Sequence, residues 1–344
     1  MRIVICFTAG VFYFILSVLS YQAIAGASQI IIGANSADVG TIIIISPKTT
    51  DSSSSLGSAL LNTIAGITDA SAENPYLIKL GPGTYDVGTT GVTMKQWVSV
   101  EGSGEKATKI TGSVSSAAFP PTAGTITGAS NMEIRFLSVE NSGTGAFTAA
   151  ILNSQASPSL IHVTATASGG TTQNYGIFNY DNSSPRMIFV TAQATGGENS
   201  TGVYLCLSPA IMSHIKATGM DATNNYGIMN SSSSFTLEDS TVEASGGTYA
   251  YGIVNISSSP LIRKTTISGT GGTYSFGLYT YISGTIKIND SSINGTTNSI
   301  NNGSGVTTRV GNSQLEGGAT FNQGTLTCAG VYDENYTFSQ NTCP

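Results

Sequence analysis

Glu238 and Asp239 are adjacent carboxylates; His214 precedes Asp239 and Lys264, next to Arg263, follows it at the same interval. A carboxylate, an imidazole and an amine held together can relay a proton or form an acid–base patch. The equal spacing brings them together only if the chain returns to the same place at that interval, so that the three stack on adjacent coils. The same residues also read as a ladder of alternating charge on an exposed face, in which each pair is worth little. His162, the other histidine, has no such company. No pattern for a cofactor or a metal ion accompanies either set.

A second set repeats at the same distance. Leu152, Phe178, Tyr204, Met229, Val254 and Tyr279 form an apolar and aromatic series, with Tyr180 and Tyr281 close to its ends. A continuous exposed row of this kind is unusual on a bare surface. Phe178, Tyr204, Tyr279, Tyr180 and Tyr281 are candidates for stacking against the rings of a sugar chain. Cover by the C-terminal tail or by a second subunit is the other reading of the row.

Both sets depend on the element that repeats. The phrase Tyr-Gly-Ile-x-Asn occurs at 175–179, 226–230 and 251–255, with close variants at 201–205 and 276–280. Its glycines are 176, 202, 227, 252 and 277, and Ala150 extends the series backwards. A fixed period of this length marks a solenoid. Each repeat holds three short strand-like pieces separated by Asn/Ser/Pro and Gly-Gly turns, which predicts a parallel β-helix with coils at the inter-strand spacing of about 4.8 Å. Alternation along a strand places Ile177 and Asn179 on one side and Phe178 on the other. With the isoleucines inside, Asn153, Asn179, Asn230 and Asn255 form an internal amide ladder, and Tyr175, Tyr226, Tyr251 and Phe276 an aromatic stack at the preceding corner.

Upstream of the repeat, Leu56, Leu60, Leu61 and Ile64 fall at helical spacing. After them come Gly81-Pro-Gly-Thr-Tyr85, Val98-Ser-Val-Glu-Gly-Ser-Gly104 and Lys109-Ile-Thr-Gly112. In this order the segment 56–112 resembles the first coils of the pectin-lyase-like superfamily of right-handed parallel β-helices, and is most similar to pectin methylesterases. The resemblance covers about one sixth of the chain; the remainder is similar only through its period. It implies an all-β, right-handed parallel β-helix and a carbohydrate-related activity. The catalytic motifs of these enzymes do not follow. Asp86 stands after Gly-Thr-Tyr where the esterases often carry Glu, and Trp97 is preceded by Lys95-Gln96 instead of by an arginine two positions before it. The Asn-Thr-Asp and Gly-His-Gly motifs of polygalacturonases and the clustered calcium carboxylates of pectate lyases are absent as well.

Residues 1–25 read as an export signal: Arg2, an apolar run from Ile3 to Leu19, and Ala23-Ile-Ala25 as the small-residue cleavage site. An uncleaved anchor is the competing reading of this run, and no other stretch is apolar enough to span a bilayer. A net charge of −6 with only 9% charged residues argues against nucleic acid. Export permits disulfides, and Cys328 with Cys343 is the expected pair, leaving Cys206 as a packed thiol. The expected order is signal 1–25, strand and helix cap 26–75, parallel β-helix 76–316, and disulfide-tied cap 317–344. The expected function is that of a secreted, non-catalytic scaffold or polysaccharide-binding protein. The alternatives are a carbohydrate-active enzyme with an unrecognised site, built on Glu238, Asp239, His214 and Lys264, and an oligomeric adhesin or spike.

Overall fold

Short β-branched runs broken every few residues by Gly, Asn, Ser or Pro favour short strands over helices. The computed structural model describes residues 28–32, as backbone, and 40–344; the expected export signal lies outside them. The strands form two sheets, one of 22 strands and one of ten. The architecture is a right-handed parallel β-helix of about ten turns with a period of about 25 residues. Among the described residues no helix is long and apolar enough to cross a membrane.

One turn shows the plan. Tyr249–Ile256 lies in the ten-stranded sheet, Leu261–Arg263 and Thr266–Thr270 lie in the larger one, and Tyr274–Tyr281 starts the next turn. Tyr251 pairs with Phe276, Ile253 with Leu278 and Asn255 with Thr280. Ile228, Ile253, Leu278 and Ile300 make one internal file, all fully buried. Burial of each contributes about 1.5–3 kcal/mol. The glycine of the repeat sits where the interior is thinnest: a Cβ on Gly252 would stand 2.6 Å from the Gly277 carbonyl oxygen and 2.7 Å from Ile267 Cγ2. The strand kinks there, and the pairing register skips Gly252. As a result Tyr251 and Val254, on either side of the kink, both face away from the core.

The bend between the two strands of the larger sheet is made by one residue in the left-handed region. Phe136, His162, Phe189, His214, Asp239, Lys264, Asp290 and Asn312 all have φ between 47° and 55°. In the later turns the next residue is Ser or Thr, buried yet fully used. Ser240 Oγ donates to the Glu238 carbonyl at 2.7 Å and accepts the Ile215 N–H at 3.1 Å. Ser291 does the same with Asn289 and Thr265. These hydroxyls supply partners that the bend itself leaves unmet.

Both ends are closed, as an exposed strand edge requires. Ser28–Ile32 pairs antiparallel with Thr41–Ser46. The helix runs over Ser53–Gly66, capped by Ser52 Oγ, which accepts the Ser55 N–H at 3.1 Å. Leu56, Leu60 and Ile64 are buried, while Leu61 is only partly so. Lys95 reaches back to its last turn and donates to the carbonyls of Ala65 and Ile67, the favourable charge for a helix C-terminus. At the other end, parallel pairing continues past the fading of the sequence repeat, through Thr325–Ala329 to Val331–Tyr332. An antiparallel strand, Phe338–Ser339, and the Cys328–Cys343 disulfide close the tail. Closing a loop of 15 residues stabilises by about 3 kcal/mol.

Candidate functional site

The period places His214, Asp239 and Lys264 one above another, as their spacing requires: the His214 N–H donates to the Glu238 carbonyl and the Asp239 N–H to that of Arg263. All three are exposed, each at the outermost point of its bend. Among the described residues no hydrogen bond or ion pair joins the side chains of Glu238, Asp239, His214 and Lys264. His214 Nδ1 lies 2.8 Å from Ser213 Oγ, and its ring packs on Phe189 at 4.6 Å between centroids. His162 lies in the same file, stacked between Phe136 and Phe189 at 5.3 and 4.7 Å. A cavity of about 460 Å³ opens at Lys264 and runs toward Asp290, Asn312 and Tyr332, away from Glu238, Asp239 and His214. No three His, Cys, Asp or Glu side chains gather as a metal-binding group among the described residues.

The aromatic row divides into two halves. In the first, Leu152, Phe178 and Tyr204 face out of the core but are buried. The loop after Gly112 covers them. Ser116 and Phe147 exchange two backbone hydrogen bonds of 2.9 and 3.0 Å, and Ser116 Oγ accepts the Thr122 N–H at 3.0 Å. These bonds hold Phe119 over the sheet, 6.0 Å from the ring of Phe178 and 6.1 Å from those of Tyr204 and Phe147. Phe178 and Tyr204 stack beneath it at 4.9 Å. Burial pushes the hydroxyls of Tyr175 and Tyr204 well above the usual phenol range, and it raises the Cys206 thiol too.

The second half is more open, although Val254 and Phe276 are buried within it. Tyr226, Met229, Tyr249, Tyr251, Tyr279 and Tyr281 are half-buried, and Tyr274 is 46% exposed. Tyr226, Tyr251 and Phe276 stack at 5.3 Å per step, and Tyr249 stacks on Tyr274 at 5.2 Å. Tyr279 meets Tyr251, Phe276 and Tyr281 edge-on. Burial raises the Tyr226 hydroxyl to about 12. The repeated phrase points to Tyr180, Tyr279 and Tyr281; it does not single out Tyr249 and Tyr274. Simple alternation backwards from Tyr251 and Phe276 finds both, once the glycine is read as a kink.

The asparagines lie inside, fully buried. Asn153 Nδ2 donates to Asn179 Oδ1 at 2.8 Å, and Asn230 Nδ2 to Asn255 Oδ1 at 2.6 Å. Leu205 interrupts the ladder between the two pairs, and Asn230 Oδ1, directly after it, has no partner.

No family model matches the chain, and no curated protein does. Solved structures do. The Dettilon tailspike protein gp208 aligns with 83% of this chain and 58% of its own, at 11% identity and a TM-score of 0.54. The A-module of mannuronan C-5 epimerase AlgE6 from Azotobacter vinelandii aligns with 82% of this chain and 86% of its own, at 14% identity and a TM-score of 0.46. Pectin methylesterase from carrot covers 67% of this chain and 77% of its own, at 11% identity and a TM-score of 0.39. These are likenesses of fold. The chain has a right-handed parallel β-helix fold.

Proposed function

We propose that the protein is exported and holds a polysaccharide, without cleaving it, on the open half of its ten-stranded sheet. The observation that carries this reading is the uncharged tyrosine surface spread over three successive turns, Tyr226, Tyr249, Tyr251, Tyr274, Tyr279 and Tyr281. Mutual stacking fixes the rings, so a ligand meets them with little ordering cost. Tyrosine presents an apolar face and a polar edge, which suits the two surfaces of a sugar ring. The exposed placement of Glu238, Asp239 and His214 outside the cavity that opens at Lys264 supports binding over catalysis, since a general acid or base must sit within hydrogen-bond reach of the proton it moves in a bound substrate.

The test is a glycan array coupled to a reducing-sugar release assay on the bound glycans. Retention without release is expected, and Tyr279→Ala should weaken retention on the order of tenfold, the loss of about 1.4 kcal/mol. Release of reducing ends would replace binding by catalysis. Failure of every glycan to bind, with a concentration-dependent mass by light scattering, would assign the tyrosine surface to a second copy of the chain.

A further inference from the structure

On the larger sheet, the cavity that opens at Lys264 has a volume of about 460 Å³, within the ordinary range for a small-ligand site. We propose that it binds a small polar α-amino acid, with Lys264 on the carboxylate and Asp290 on the ammonium group. The tyrosine surface lies on the other sheet, so failure of either reading leaves the other intact.

Shape is the first argument. Two files of side chains build the cavity. Lys264, Asp290 and Asn312 occupy successive left-handed bends. Thr266, Ser292, Gln314 and Tyr332 are paired in register on the strands that follow. The buried Thr265 and Ser291 lie between the files. Lys264 to Asn312 spans two inter-strand steps, about 10 Å. Beyond them Tyr332, stacked on Tyr336 at 5.5 Å, ends the groove. A polymer laid along the files would run into that stacked pair, whereas a small molecule fits before it.

Charge points the same way. The Lys264 N–H donates to the Asn289 carbonyl at 3.1 Å, so Lys264 and Asp290 are neighbours at one inter-strand spacing. Both are exposed, and among the described residues no ion pair joins them to each other or to any other group. An exposed pair of this kind is worth little, so both side chains can turn to a ligand at small cost. An α-amino acid carries a carboxylate and an ammonium on one carbon, the complement of a lysine beside an aspartate. A carboxylate or an amine alone would leave one of the two charges unmet. The rest of the lining is neutral and polar. The side chains of Thr266, Asn312 and Gln314 have no hydrogen-bond partner among the described residues, and they suit a short polar side chain on the ligand.

The backbone of Lys264 is the third argument. Its φ is 47°. Asparagine and aspartate tolerate this region, and they hold the bends on either side, at Asp239, Asp290 and Asn312. The rings at the earlier bends gain from stacking on one another. Neither reason applies to Lys264. Strain of this kind persists where a side chain serves a ligand.

Calorimetric titration with L-serine should show saturable binding. N-acetyl-L-serine lacks the ammonium and L-serine methyl ester lacks the carboxylate, and each should bind on the order of tenfold more weakly. Lys264→Asn and Asp290→Asn both suit the left-handed bend, and each should raise the dissociation constant for L-serine on the order of tenfold. Urea denaturation checks that both variants stay folded. Absence of saturable binding of L-serine overturns the proposal. So does equal binding of either blocked derivative, or unimpaired binding by either folded variant.

Discussion

The two halves of the ten-stranded sheet repeat one phrase and do opposite things with it. Phe178 and Tyr204 occupy the same column as Met229 and Tyr279, yet the first pair is buried and the second is half-open. The difference is not in the strands. It lies in one loop, pinned at Ser116, that brings Phe119 down on the earlier turns and stops before Tyr226. A solenoid sums nearest-neighbour interactions along its axis, so a local cover can turn part of a uniform face into a second small core and leave the rest as surface.

Truncation separates the halves most sharply. Phe178→Ala removes a fully buried ring packed between Tyr175, Tyr204 and Phe119, and it should cost about 3–5 kcal/mol. Tyr279→Ala, in the same column, should cost about 1 kcal/mol. Urea denaturation of both variants checks the contrast; equal costs would mean that the cover over Phe178 contributes nothing.

The cover itself is the next target. Phe119 is 48% exposed, so Phe119→Ala loses only part of a ring's burial and should cost about 1–2 kcal/mol. Its larger effect is on access: Phe178 and Tyr204 become solvent-open, and the covered half comes to resemble the open one. Burial that now holds the Tyr204 hydroxyl high would be relieved, so Tyr204 should ionise at lower pH in the variant than in the parent. Tyrosinate absorbance across an alkaline titration reads this shift, and an unchanged profile would show that Phe119 is not the lid.

The same contrast marks what could be read from sequence. The period, the inward Ile177 and Asn179 and the outward Phe178 follow from spacing alone, because each turn repeats one local pattern and stacking enforces it. The Cys328–Cys343 pair was equally legible, as two cysteines in one short polar tail. The resting place of Phe119 was not, since a Ser/Ala/Pro loop carries no periodicity and its ring contacts lie well along the chain, from Phe147 to Tyr204. The early turns hide their register for a related reason. The early turns are irregular: Trp97 lies beside Asn131, a longer step along the chain than the later turns keep. Kinking at each glycine concealed the outward set of Tyr226 and Tyr251, because strict alternation fails across the kink.

A second pair of regions differs in the opposite way, with one backbone and two chemistries. The left-handed bend carries Phe136, His162, Phe189 and His214 in the early turns, and Asp239, Lys264, Asp290 and Asn312 in the later ones. The early four gain from stacking on one another. Lys264 has no such gain: it is exposed, and no ion pair holds it among the described residues. Asparagine tolerates the left-handed region better than lysine, so Lys264→Asn should raise stability by a few tenths of a kcal/mol. The same replacement in the stacked file, Phe189→Asn, sets the backbone gain against the loss of two ring contacts and should lower stability. Opposite signs from one substitution type would show that the early bends are held by their side chains and the later ones by the Ser and Thr that follow them. Matching signs would mean that the aromatic file stabilises nothing.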